Sequence, residues 1–195
     1  MKKRSILSKD DRVRIWNSFF KLTWLEAKKV FELSNNCTCE DSFAPLGGTV
    51  PEEEFHILSA LVLCCLSIEA RANHLIDELH EHGKISSEIA DAARYLPTKE
   101  KWFFLPTLAG IIPNTLSSDK QPHQAIKQLC DYRNALMHVK YKELTIKLPK
   151  AKQMLSYFDN FVKAMEDMNV VLKRHSEPNP RILDIGQFHS KIFKT

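Results

Sequence analysis

The stretch from Thr49 to Gly83 constrains this chain most. It opens Thr49-Val50-Pro51-Glu52-Glu53-Glu54, where a threonine cap, a first-turn proline and three acids suit the positive end of a helix. Phe55, Leu58, Leu61, Val62, Cys65, Ile68, Ala72, Leu75, Ile76 and Leu79 then recur at helical spacing, and Gly83 closes the run. Such a helix is about 45 Å long. Leu63, Cys64 and Leu66 make its middle apolar all round, which places it at the centre of a helical packing rather than on its edge.

The rest of the chain supplies partners of the same kind. Ser8 and Asp11 open a helix carrying Val13, Trp16, Phe19, Phe20, Trp24, Ala27, Val30 and Phe31, which ends near Ser34-Asn35-Asn36. Pro45 and Gly47-Gly48 mark a loop after it. A short helix is expected from Ser86 to Tyr95. Pro97 to Pro106 mixes Lys99 and Lys101 with Trp102, Phe103 and Phe104 between two prolines, and reads as a loop. Its aromatics either plug the end of the bundle or, with the lysines, contact a substrate. Pro113 to Pro122 is a polar loop. A helix from Gln121 to Val139 buries Ile126, Leu129, Cys130, Leu136 and Met137. The last long helix, Lys150 to Arg174, repeats Met154, Leu155, Phe158, Phe161, Val162, Met165, Met168, Val171 and Leu172. With only 5 Gly and little period-two alternation, the expected class is all-α. The architecture is an antiparallel up-and-down bundle of four main helices plus one or two short ones. A single domain over 1–195 is expected, with its core at 8–175 and a tail at 176–195.

The net charge of +4 permits an acidic partner without naming one. The five cysteines are Cys37, Cys39, Cys64, Cys65 and Cys130. Their odd count and the lack of a secretory pattern at the start favour free thiols and a cytoplasmic location. Cys37-x-Cys39 has the wrong spacing for a zinc knuckle, so no metal and no cofactor are expected. Cys64, Cys65 and Cys130 sit in apolar runs and should pack as small hydrophobes. The apolar run Ile57–Ile68 is too short to span a bilayer, so no membrane association is expected.

Chemistry concentrates in Arg133-Asn134-Ala135-Leu136-Met137-His138. Arginine is a permanent, forked phosphate ligand, and histidine exchanges protons near neutrality. On a helix Asn134 and His138 share a face, while Arg133 sits roughly 140° from His138 and must reach round to join them. An arginine paired within the bundle and a histidine at a helix C-terminus would give the same pattern without function.

Arg133-Asn134-x-x-x-His138, late in a helical chain, resembles the R-x(4–6)-H signature of the HEPN superfamily (higher eukaryotes and prokaryotes nucleotide-binding). Ser67-Ile68-Glu69-Ala70-Arg71-Ala72-Asn73-His74 on the long central helix is similar to such proteins too. The resemblance implies an all-α bundle, a homodimer with two motifs facing each other, and a metal-independent endoribonuclease. Toxin–antitoxin, defence and RNA-processing roles occur in that family, as do inactive members that only bind RNA, a nucleotide or a protein. Carried onto this chain, Arg133 and His138 are catalytic and Asn134 supports them. Substrate contacts are expected from Glu69, Asn73, Lys99, Lys101, Tyr132, Lys140 and Tyr141. Glu69 either pairs with Arg133 or Lys140, or shares a solvated face with Arg71. His74, His80 and His82 are expected to be exposed. The implied partners are RNA, a second copy and an antitoxin protein.

Overall fold

A computed structural model describes residues 9–36, 52–112, 116–137 and 148–172. These residues form six helices and no strand: α1 (Lys9–Asn36), α2 (Glu52–Glu81), α3 (Ser87–Arg94), α4 (Thr98–Leu108), α5 (His123–Met137) and α6 (Ala151–Val171). The protein is an all-α helical bundle.

Side-chain contacts fix the directions. Trp16 lies against Arg71, Thr23 against Ser67 and Glu26 against His56, so α1 and α2 are antiparallel. His123 meets Asp167 and Tyr132 meets Tyr157, so α5 and α6 are antiparallel as well. Phe20 packs on Phe158 and Phe161, closing α6 back onto α1. The four long helices therefore alternate up and down.

α2 is the central helix, and its apolar middle explains why. Leu61, Ile68, Leu75 and Ile76 are fully buried, and α1, α3, α4, α5 and α6 all pack on it. By length and composition alone α2 could cross a bilayer, yet half of its most apolar window is buried inside the bundle. Its far half also carries five buried polar residues, Ser67, Arg71, His74, Asp77 and Glu78. Arg71 stacks on Trp16 at 5.1 Å and donates to Asn169 Oδ1 at 2.6 Å. Arg71 therefore lies in the interior rather than on a solvated face. His74 is buried and bonded to Glu78 at 3.3 Å, against the expected exposure.

Helix ends follow local chemistry. Gly83 takes φ +66°, and Lys84 N reaches back to Leu79 O at 2.8 Å, stopping α2. The Ser86 hydroxyl accepts from Ile89 N at 3.4 Å, capping α3.

The segment expected as a loop between two prolines is instead α4. Pro97 serves as the residue preceding its first turn, and Pro106 sits inside its last. A proline so near the C-terminal end sacrifices one backbone bond. Burial of Trp102 and Leu105, both with no exposed surface, outweighs that loss. Two residues expected in the core are exposed: Phe55 at 55% and Met137 at 65%. Both lie in end turns, where helical spacing continues but neighbouring helices do not. Cys64, Cys65 and Cys130 are free, buried thiols packed as small hydrophobes. Cys37, Cys39 and the tail at 176–195 lie outside the described residues.

Candidate active site on α5

α5 is anchored at its start and open at its end. At the start, Trp102 Nε1 donates to His123 Nδ1 at 3.2 Å, and His123 Nε2 meets Asp167 Oδ2 at 2.8 Å. Ala125, Ile126, Leu129 and Cys130 then enter the core. Cys65 Sγ donates to Leu129 O at 3.2 Å, holding α5 on α2. From Asp131 onward one face of the helix is open, while Tyr132 and Leu136 still pack on the core. Asp131, Asn134, Ala135 and Met137 are exposed and Arg133 is half-buried.

Arg133 Nη1 donates to Asn134 Oδ1 at 3.1 Å. The guanidinium thus swings toward the asparagine's face, the movement its long stem has to make if the motif is to converge. One of its five donors is used in this bond, which leaves fork geometry for a bidentate anion. The guanidinium also lies within electrostatic reach of Cys65. It lowers that thiol slightly, against the larger upward effects of a hydrogen bond with Cys130 and of burial. His138, Lys140 and Tyr141 lie outside the described residues.

The remaining candidates divide between two places. Lys99, half-exposed, bonds Asp131 Oδ1 at 2.8 Å, and this carboxylate holds its pKa above the ordinary lysine value. Lys99 therefore stands beside the motif helix, two positions along α5 from Arg133. Lys101 does not share that surface. It is 3% exposed and its ammonium is bonded to Glu69 Oε1 and, at 3.0 Å, to Asn73 Oδ1. Glu69 also accepts from Thr98 Oγ1 and, at 3.2 Å, from Asn73 Nδ2. Glu69 thus pairs with Lys101 rather than with Arg133. The network joins α2 to α4, and burial of the lysine is tolerated because Glu69 meets its charge and two of its three donors are bonded.

Tyr132 faces α6, its ring 6.0 Å from that of Tyr157, whose hydroxyl receives Gln153 Nε2 at 2.7 Å. Burial first, and the neighbouring Tyr132 second, push the Tyr157 hydroxyl up from its ordinary value.

The first turn of α4 touches both places at once: Thr98 bonds Glu69 while Lys99 bonds Asp131. Thr98 and Asp131 were not evident from the sequence, although Asp131 stands two positions before Arg133 on the same helix. The Trp102–His123–Asp167 chain was also not evident. Both ring nitrogens of His123 are occupied, so this histidine clamps α4, α5 and α6 together rather than exchanging protons with a ligand. Among the described residues no three His, Cys, Asp or Glu side chains are grouped to hold a metal ion.

No protein-family model, curated protein or solved structure matches this chain.

Proposed function

We propose that this chain is a HEPN-like, metal-independent endoribonuclease acting as a homodimer. The observation that carries the proposal is the Arg133–Asn134 pair on the open face at the end of α5, on an all-α bundle. Arg133 holds the scissile phosphate and stabilises the charge that grows on it in the transition state. Asn134 fixes the guanidinium. His138 handles the proton.

The ribose 2′-oxygen bonds to phosphorus while the bond from phosphorus to the 5′-oxygen breaks. The 2′ proton passes to a base and the departing 5′-oxygen takes a proton from an acid. The products are a 2′,3′-cyclic phosphate and a 5′-hydroxyl end. One histidine cannot be base and acid in the same instant, so a second copy contributes the other.

A second reading is favoured by the Lys101–Glu69–Asn73 network. These three candidate substrate contacts bond one another and Lys99 is bonded to Asp131, which leaves the open donors of Arg133 to meet an anion. So reduced, the surface suits a non-catalytic module that holds RNA, a nucleotide or a protein.

The test is incubation of the purified chain with a single-stranded RNA pool in EDTA. Cyclic-phosphate ends that disappear in His138→Ala and Arg133→Ala support the nuclease. Salt-sensitive RNA binding without cleavage, unchanged in His138→Ala, supports the binding module.

A further inference from the structure

α1 has two apolar faces, and the bundle uses only one. Trp16, Phe20, Ala27 and Val30 face inward and are buried. Ile15, Leu22 and Leu25 face outward and are 39%, 46% and 41% exposed. Their spacing of seven and three residues draws a straight stripe about 15 Å long, the seam geometry of helix against helix. Arg14, Lys21, Lys28 and Lys29 are exposed on the same helix. Lys28 and Lys29 share Glu32 at 3.6 Å and 3.3 Å, and Glu26 is turned away to His56. By the 3.6-residue period Arg14, Lys21 and Lys28 fall on one side of this stripe, so the outward face is apolar along its middle and positive along that flank.

We propose that this face docks an acidic amphipathic helix of a partner protein. Charge complementarity selects that occupant. A second copy paired through the same stripe would set Arg14, Lys21, Lys28 and Lys29 against their own counterparts with Glu32 offsetting only part of that charge, which is repulsive. A bilayer surface calls for protruding aromatic anchors, whereas the aromatic beside this stripe, Phe19, is half-buried and the aliphatic residues are more than half sunk among their neighbours. An RNA strand would use the cations and leave the leucines wet. A helix with leucines on one face and glutamates beside them satisfies both features, apolar against apolar and carboxylate against ammonium. The surface is separate from Arg133 and does not depend on nuclease activity.

The experiment uses the full chain and a fluorescein-labelled synthetic helix three heptads long, with leucine at positions a and d and glutamate at e and g. Anisotropy should show saturable binding. Leu22→Gln and, separately, Leu25→Gln should each weaken it by about tenfold with unchanged circular dichroism. Lys21→Glu combined with Lys28→Glu should abolish binding and create binding to the matching lysine-flanked peptide. Equal binding of the acidic peptide by wild type and both leucine variants overturns the proposal. So does failure of the peptide to bind while phosphatidylserine vesicles or single-stranded RNA do, or a dimer in sedimentation that Leu22→Gln dissociates.

Discussion

The indole N–H of Trp102 ends on Nδ1 of His123, and this single bond sets the tautomer of the imidazole. Tryptophan can only donate, so Nδ1 must be the acceptor and the proton sits on Nε2, which donates to Asp167. Trp102 has no exposed surface and His123 is 4% exposed. Replacing His123 with Leu leaves a buried N–H without a partner, which costs about 1–3 kcal/mol. Asp167 is 45% exposed at its side chain, so Asp167→Asn should cost under about 1 kcal/mol. Urea unfolding midpoints at constant m-value measure both. Equal losses in the two variants would show that the aspartate, not the indole, carries the clamp.

Glu69 and Lys101 should behave as a pair. Glu69→Leu leaves a nearly buried ammonium with Asn73 alone, an expected loss of about 3 kcal/mol. Lys101→Met combined with Glu69→Leu removes both charges and should recover most of it, giving a large coupling in a double-mutant cycle. Thermal unfolding of the four proteins tests this. Additive losses would mean that the two side chains act independently.

That pair also shows where sequence reasoning stops. Helix existence was legible because a 3.6-residue apolar repeat over many turns has few other physical meanings: Ile57 to Leu79 could hardly be anything else. α4 was not legible, since prolines at 97 and 106 read as loop boundaries and only the tertiary burial of Trp102 and Leu105 decides for a helix. Lys101 and His74 were placed outside because such residues seldom enter a core. Each is buried beside a partner, Glu69 or Glu78, that spacing alone cannot pick from its alternatives. At the site, adjacency of Arg133 and Asn134 in sequence translated into contact. The neighbourhood of Lys99 and Asp131 needed the fold.

Three hydroxyl and thiol groups make the protein sensitive to alkali. Burial pushes the Cys64 thiol up, and a hydrogen bond with Cys130 followed by burial does the same to Cys65. Tyr157 is raised as well. A raised folded-state value means that the native chain keeps protons that the unfolded chain releases. Stability from this source is complete below about pH 8.5, where the unfolded thiol begins to ionise, and declines as pH rises further. Each thiol contributes a slope of at most about 1.4 kcal/mol per pH unit. Unfolding free energies from pH 7 upward should be flat and then fall. The double substitution Cys64→Ala with Cys65→Ala should flatten the fall even if it lowers the plateau. An identical slope in that variant would place the sensitivity elsewhere.

The same burial predicts slow chemistry. Native Cys64 and Cys65 should resist iodoacetamide at pH 8 and react fully once urea unfolds the chain, because the thiolate is the nucleophile and is suppressed at both positions. Fragmentation mass spectrometry of the one tryptic peptide that carries both cysteines reads the result. Rapid native alkylation would mean that α2 opens at its centre far more often than its contacts imply.

The Arg133–Asn134 bond makes a graded prediction about activity. Under the proposed nuclease reading, Arg133→Ala removes the transition-state cation and should cost at least about a hundredfold in cleavage rate. Arg133→Lys keeps the charge but loses the fork, so part of that loss should remain. Asn134 is exposed, and its carbonyl orients the guanidinium without replacing it. Asn134→Ala should therefore slow cleavage by about tenfold, less than Arg133→Ala, with the melting temperature unchanged. Lys99→Ala should act differently again, because its ammonium is already bonded to Asp131. It should raise KM more than it lowers kcat, and reduce the salt dependence of RNA binding by about one counterion. Single-turnover cleavage of a defined RNA, run across a salt series, separates these effects. If Asn134→Ala lowers the melting temperature and leaves the rate intact, the pair stabilises the end of α5 and does not position the arginine for chemistry.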